Sequence, residues 1–220
     1  MKGQQGRLRD LSDAIALTIR ETIKEYQDLL ASHISAHQRE MEDLNRQLEA
    51  ATVIDNLTGL FTARVSQEYL AREVRRADRY GHPVSLVAID IDDFERLTTL
   101  CGSVASDEVL RALAEVVSAQ VRDIDLVCRL GADEFAVILP ETPVAGAMLV
   151  SERMRAATST RGEFAADAHA SGPVRISVGV AGFPEDASTA EELLSRARTA
   201  LHHAKGLGKN IVVAYSETGR

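Results

Sequence analysis

The sequence predicts an α+β domain built on a largely antiparallel sheet and entered through one long amino-terminal helix. Three observations carry that reading. Val84-Ser85-Leu86-Val87-Ala88-Ile89-Asp90 is an apolar run of the length of a buried strand. Asp125 to Leu130 and Phe135 to Leu139 are two runs of strand formers around a Gly-centred turn, the pattern of a β-hairpin, and Pro140 ends it. Residues 6–52 contain no Pro and only one Gly, Gly6, with apolar residues at helical spacing.

Taken in order, residues 1–52 read as a helical stalk, 53–216 as the folded domain and 217–220 as a tail. In the stalk, Ile34, His37, Met41, Leu44, Leu48 and Ala51 alternate spacings of three and four, the seam of a coiled coil that would make a homodimer. Leu8, Leu11, Ile15, Ile19, Ile23, Tyr26 and Leu30 include repeated fours, closer to an eleven-residue pattern that unwinds the supercoil locally. The competing reading is a helix folded back on the domain; the narrow stripe and its charged flanks favour the coiled coil. Beyond it the pattern predicts a helix over 64–80, a strand over 84–90, a helix over 104–121, the hairpin, a helix over 143–158, a strand over 174–182, a helix over 189–205 and a last strand from Ile211 to Tyr215. Ser188-Thr189-Ala190-Glu191 resembles a capping box at the start of the last helix. Thr158 to Gly172, rich in Ala, Gly and Ser, reads as a mobile loop.

Composition narrows the function classes. A chain of 220 residues with 45% hydrophobic content can hold one substantial core plus an extra element. Its 33 acidic and 25 basic residues give a net charge of −8, which argues against DNA as a partner. Cys101 and Cys128 lack the spacing of a metal or redox pair and read as reduced thiols of a cytoplasmic protein. His202 and His203 are adjacent on a helix and point apart, which argues against a transition metal. No apolar stretch approaches the roughly 20 residues of a membrane span, and no secretory signal opens the chain.

The chemistry concentrates at two strand ends. Arg129-Leu130-Gly131-Ala132-Asp133-Glu134-Phe135 puts two carboxylates on the hairpin tip, a pattern that in isolation is an ordinary solvated turn. A second acidic strand end, Asp90-Ile91-Asp92-Asp93, changes that reading. Together the two supply the hard oxygen ligands that Mg²⁺ prefers while substrate phosphates complete its octahedron.

Here the chain resembles the GGDEF diguanylate cyclases, which condense two GTP molecules into cyclic di-GMP. Asp55-Asn56-Leu57-Thr58-Gly59-Leu60 resembles the family's opening motif, and Asp90-Ile91-Asp92-Asp93-Phe94 its metal-binding strand end. Arg129 to Phe135 stands at the signature hairpin, Ser177-Val178-Gly179-Val180-Ala181 at the late strand, and Ala204-Lys205-Gly206-Leu207-Gly208-Lys209-Asn210 at the closing motif. The resemblance implies a palm-like nucleotidyl-cyclase fold. It implies Asp90, the Ile91 carbonyl and Asp133 as Mg²⁺ ligands, Asp133 or Glu134 as the base for a ribose 3′-hydroxyl, and Lys205 and Lys209 as phosphate binders. Thr98 and Asp107 fall at the guanine-reading positions. Arg122 and Asp125 fall at an Arg-x-x-Asp inhibitory site that binds cyclic di-GMP, completed by Arg153, with Arg75 or Arg76 reaching across a dimer.

The departures fall in the nucleotide-contacting motifs. The signature reads Gly-Ala, and a side chain at residue 132 is expected to strain a positive-φ turn and to intrude on nucleotide space. Thr98 stands where the family carries Asn, and one hydroxyl cannot supply a donor and an acceptor across two guanine atoms. Glu95 puts a negative charge where the family carries a positive one. Weakened GTP binding is expected. Three readings follow: a degenerate module that binds cyclic di-GMP and relays it through a dimeric stalk to a protein partner, an active product-inhibited cyclase, and a dimerisation module without nucleotide binding.

Overall fold

The structure, a computed structural model, describes residues 52–160 and 173–219 together with Lys24. The chain divides into two units between Ala51 and Thr52. The expected coiled-coil stalk lies outside the described residues, as do residues 161–172 of the loop expected over Thr158 to Gly172, whereas Thr158 to Thr160 are helical.

The second unit runs β1 (Phe61–Thr62), α1 (Ala63–Tyr80), β2 (Val84–Ile91), α2 (Phe94–Ser118), β3 (Leu126–Arg129), β4 (Glu134–Pro140), α3 (Val144–Thr160), β5 (Ile176–Phe183), α4 (Ala190–Gly206) and β6 (Val212–Ala214), closing in a 3₁₀ turn over Tyr215–Glu217. The six strands form one sheet in the order β1-β3-β4-β2-β5-β6. The three inner pairings are antiparallel, whereas β1 on β3 and β6 on β5 are parallel. The α+β architecture and the largely antiparallel sheet are as the sequence predicts.

Every residue of β2 is buried, because helices cover the sheet on both sides. That is why its sequence runs continuously apolar instead of alternating. Leu86, Ala88, Ala136 and Ile138 pack with Leu70 and Val74 of α1 and with Leu193, Ala197 and Leu201 of α4. Val87, Ile89, Phe135, Val137, Ile176 and Val178 pack on the other side with Val109 and Leu113 of α2 and Met154 of α3. Ser85 is the polar exception within β2, and its hydroxyl donates to the Thr142 carbonyl at 2.7 Å.

Three local expectations are corrected. The helix predicted from residue 104 begins ten residues earlier, at Phe94, and bends at Gly102, whose φ of 81° and ψ of 172° interrupt it. The β-branched pair Thr98-Thr99 and the glycine hid that first segment, which is stabilised locally by Thr98 and Thr99 hydroxyls donating to the Phe94 and Glu95 carbonyls. β1 has only two residues and carries no periodic signal. The cap of α4 lies one residue later than read: Thr189 accepts from the Glu192 N–H at 3.1 Å, and the Glu192 carboxylate takes both the N–H and the hydroxyl of Ser188 at 2.9 Å. The Ser188 N–H, Arg196 and the Ser188 hydroxyl together hold the Glu192 carboxyl down at about 2.

Helix α4 lies unusually close to the sheet, at Gly179 of β5. A Cβ there would meet the Leu201 nitrogen at 2.1 Å and the Ala197 carbonyl oxygen at 2.2 Å, both rigid helix backbone. Gly179→Ala therefore forces the helix outward, and we expect a loss of about 3 kcal/mol or more. A urea unfolding midpoint equal to that of the parent chain rejects this account of the packing.

Candidate functional site

The two acidic strand ends meet because β2 and β4 are antiparallel neighbours. Asp90 and Glu134 are direct cross-strand partners, which puts both side chains on the α4 face of the sheet. Lys205 on α4 pairs with Asp90 at 2.7 Å. Arg198, seven residues earlier and so two turns along the same helical face, grips Glu134 through two bonds of 2.7 and 2.9 Å. Asp133 sits beside this pair, its carbonyl accepting from the Ile91 N–H at 3.4 Å.

Asp90 is the electrostatic centre of this end. It is 9% exposed, and its Oδ1 is buried with no hydrogen-bond partner. Burial raises its carboxyl above the ordinary value, the charges of Asp133 and Asp92 add to the rise, and Lys205 opposes it. An orphaned, desolvated carboxylate oxygen beside a second carboxylate suits a hard divalent cation. Among the described residues no group of three or more His, Cys, Asp or Glu side chains encloses a metal position. The orphaned oxygen and its neighbour would suit a cation held by two carboxylates and completed by other oxygens.

Asp92 has a structural task. It accepts from the Ser177 hydroxyl at 2.6 Å and from the Asn210 N–H at 2.8 Å, tying β2 to the turn after α4. In that turn Gly208, Lys209 and Asn210 all adopt positive φ. The turn presents Lys209 to Asp93 at 2.6 Å, an exposed pair that contributes little to stability. A cavity of about 200 Å³ opens beside Ile91, Asp93, Leu97, Arg96 and Arg175. The two arginines bring positive charge to a region where Glu95 alone suggested repulsion.

The hairpin tip is held from below. Arg129 donates to the Gly131 carbonyl at 3.0 Å and the Ala132 carbonyl at 2.8 Å, and its guanidinium reaches Asp55 at 3.2 Å. Asp55 also takes the Thr58 N–H and hydroxyl at 2.8 and 2.6 Å. The opening Asp-x-Leu-Thr-Gly-Leu segment is thus a brace for the signature turn. The strain expected at Ala132 is absent, since neither Gly131 nor Ala132 takes positive φ. The turn is closed by hydrogen bonds from the Leu130 and Gly131 N–H groups to the Glu134 carbonyl, neither of which involves residue 132.

Across the bend of α2 the structure brings Thr98 to Ser106. The Thr98 hydroxyl donates its one proton to the Phe94 carbonyl at 3.0 Å and lies 2.9 Å from the Ser106 hydroxyl, next in sequence to Asp107. Asp107 is half-buried. The side chain at the guanine-reading position is thus spent inside its own helix.

Arg122, Asp125 and Arg153 form a separate group at the start of β3, about 13 Å of strand from the hairpin tip. The Asp125 carboxylate accepts from the Arg122 backbone N–H at 2.8 Å, and the Asp125 N–H donates to the Arg122 carbonyl at 3.0 Å. Asp125 therefore shapes the turn instead of gripping the Arg122 guanidinium, which is exposed. The Asp125 Oδ1 is buried without a partner, and burial raises this carboxyl against the opposing pull of Arg122. Arg153 joins the same loop by donating to the Gln120 carbonyl at 3.1 Å. Tyr69 of α1 donates to the Ile124 carbonyl at 2.9 Å, with the Arg72 guanidinium 4.8 Å from its ring centre. Of the two arginines considered for a cross-dimer role, Arg76 is engaged by Glu73 and Glu141.

Sequence reasoning missed Arg198, Tyr69 and Arg72, and it assigned no task to Asp55. For Asp55 the signal was present: Arg129 is the only cation in the signature stretch and needed a partner. Arg198 sits in a charged helix with nothing local to mark it.

An antiparallel sheet covered on both faces, with carboxylates at adjoining strand ends and cations on the helix above them, defines a cyclase-type α+β domain. The model of the diguanylate cyclase GGDEF domain matches residues 52–211, and the chain belongs to the GGDEF family. The response regulator PleD of Caulobacter vibrioides is 40% identical over 171 residues, covering 78% of this chain and 37% of PleD. The chain thus spans little more than a third of that curated relative. Among solved structures, the GGDEF domain of DgcB from Caulobacter crescentus in complex with c-di-GMP aligns with a TM-score of 0.70 at 25% identity, covering 75% of this chain and 94% of that one. Diguanylate cyclase SiaD from Pseudomonas aeruginosa, in complex with its activator SiaC, aligns with a TM-score of 0.67 at 29% identity, covering 97% of this chain and 80% of SiaD.

The brace predicts a pH signature. Burial by itself would raise the Asp55 carboxyl, but the two Thr58 hydrogen bonds and Arg129 outweigh it and leave it below its ordinary value of 3.8. A depressed carboxyl stabilises the fold above its unfolded value and loses that contribution as pH falls through its folded one. Asp55→Asn is expected to cost about 1–2 kcal/mol near pH 7, with the gap closing below about pH 4. Chemical denaturation across that range checks it; a gap independent of pH removes the assigned charge interaction.

Proposed function

We propose that this chain is a cytoplasmic cyclic di-GMP signalling protein whose GGDEF domain works as a receptor. Cyclic di-GMP binds at Arg122, Asp125 and Arg153, and occupancy is relayed through a stalk-mediated homodimer to a protein partner. The observation that carries this reading is the contrast between the two nucleotide positions. Thr98 has its only proton committed to its own helix, whereas the Arg122–Asp125 turn leaves an exposed guanidinium beside a buried, unpartnered carboxylate oxygen.

The chemistry suits the ligand. A guanidinium fork can take a phosphate or a guanine edge bidentately, and Asp125 can accept from a base N–H. Arg153, on the neighbouring helix, supplies a second cation to the same loop. Arg72 over Tyr69 adds a flat, positively charged surface close to the turn. The c-di-GMP complex of the DgcB domain supports the ligand class, and the SiaD complex with its activator supports a protein partner for a chain of this span.

One observation favours retained turnover as the second reading. The orphaned Asp90 Oδ1 beside Asp133 is what a Mg²⁺ site leaves unpaired for its cation. Asp90, Asp133 and the Ile91 carbonyl would hold the ion, which when bound polarises a phosphoryl group. Lys205 and Lys209 stand close to Asp90 and Asp93 and can turn to phosphate. Asp133 or Glu134 would take the ribose proton. What the chain lacks for this reaction is a guanine reader at Thr98 and room at Ala132.

Two measurements separate the readings. Calorimetry should show cyclic di-GMP binding to the parent chain and none to Arg122→Ala of equal thermal stability; equal affinities for the two would remove the site assignment, and no binding to either removes the receptor reading and leaves turnover to decide between a cyclase and a dimerisation module. Ligand-free protein given GTP and Mg²⁺ is expected to form no cyclic di-GMP by chromatography with mass detection, while Ala132→Gly with Thr98→Asn gains turnover. Catalytic accumulation by the parent chain makes it a cyclase with Arg122 as its brake.

A further inference from the structure

Glu134 is the cross-strand partner of Asp90, and directly opposed side chains in an antiparallel pair stand about 4.5–5.5 Å apart at Cβ. A free Glu134 carboxylate would therefore be within reach of the Asp90 end of the site. Arg198 of α4, however, binds both Glu134 oxygens at 2.7 and 2.9 Å and holds the carboxylate against the helix.

We propose that Arg198 is a positioning residue that withholds Glu134 from the cation site, leaving Asp90 and Asp133 as the carboxylates that serve it among the described residues. Three features support it. A bidentate guanidinium occupies the lone pairs that a cation would need, and its fork geometry matches a carboxylate where a lysine's point charge would not. Arg198 also borders a groove of about 630 Å³ between α1 and α4, lined by Leu70, Leu194 and His202 among others. The side chain has free space on that side, so crowding does not force the pairing. Finally, Gly179 lets α4 approach so closely that Arg198 and Lys205, two turns apart, each stand over one carboxylate.

The inference concerns cation affinity and stands apart from the receptor reading; it requires only that Asp90 and Asp133 take a divalent ion. The test uses Mn²⁺ as a spectroscopic probe in place of Mg²⁺, with the full chain and no nucleotide. Free Mn²⁺ is counted by electron paramagnetic resonance during titration of the parent chain, Arg198→Gln, Arg198→Lys and the double variant Arg198→Gln with Glu134→Gln. Removing one nearby positive charge and freeing one carboxylate should tighten Mn²⁺ binding about tenfold or more in Arg198→Gln. The double variant should return to the parent value, and Arg198→Lys should fall between. Circular dichroism melting of each variant reports folding separately. Unchanged Mn²⁺ binding in Arg198→Gln overturns the proposal. So does a double variant that binds as tightly as Arg198→Gln, because the gain would then not come from Glu134. The cyclic di-GMP calorimetry above is unaffected by either result, so the two readings can fail independently.

Discussion

Everything at the acidic strand ends depends on how closely α4 approaches β5. Gly179 removes the one side chain that would stand between them, and helix backbone fills the space. Protein interiors are packed too tightly for a methyl group to be admitted there without moving the helix. The helix carries Lys205 and Arg198 on the face turned to the sheet, so its height decides whether their cationic heads reach Asp90 and Glu134. Packing and charge are thus one constraint: an apolar contact of Leu193, Ala197 and Leu201 sets the distance at which the ion pairs close.

The ion pairs are unequal. Lys209 with Asp93 is exposed on both sides and holds little against water and salt. Arg198 with Glu134 is bidentate, and the Glu134 side chain is only 22% exposed, so the pair is better shielded. Asp90 lies deepest, with one oxygen satisfied by Lys205 and the other by nothing in the chain. Leaving a buried carboxylate oxygen unsatisfied is costly, and such costs are retained where a ligand repays them. The other orphaned carboxylate oxygen among the described residues is on Asp125, just before β3, whereas Asp90 closes β2, so the two lie in different parts of the domain.

Strand β3 and its neighbours connect those parts of the domain. Arg129 at one end holds the signature turn and is braced by Asp55, while Asp125 at the other end shapes the loop that carries Arg122 and Arg153 approaches. β1 pairs with β3 in parallel, so the opening segment, the brace and the hairpin are joined through one strand pair.

The sequence by itself determined the domain type and most of its elements. The apolar run at Val84 to Asp90, the hairpin around Gly131 and the helical periodicity after Thr189 are local signals, carried by side chains that must be buried or must turn. It also brought out Asp90 and Asp133 by type and order, and Arg122 and Asp125 through the family resemblance. Only the tertiary structure decided what those residues touch. The first segment of α2 was hidden because Thr98, Thr99 and Gly102 disfavour helix locally, and it exists because their hydroxyls and the bend are satisfied within the fold. Ala132 looked strained from sequence because a positive-φ turn was assumed; the hydrogen bonds that close the hairpin allow ordinary backbone there. Asp55 meets Arg129, and Arg198 meets Glu134, across 74 and 64 residues of chain. Such pairings arise from strand order and helix height, which periodicity does not encode, and they determine which carboxylates remain free for a ligand.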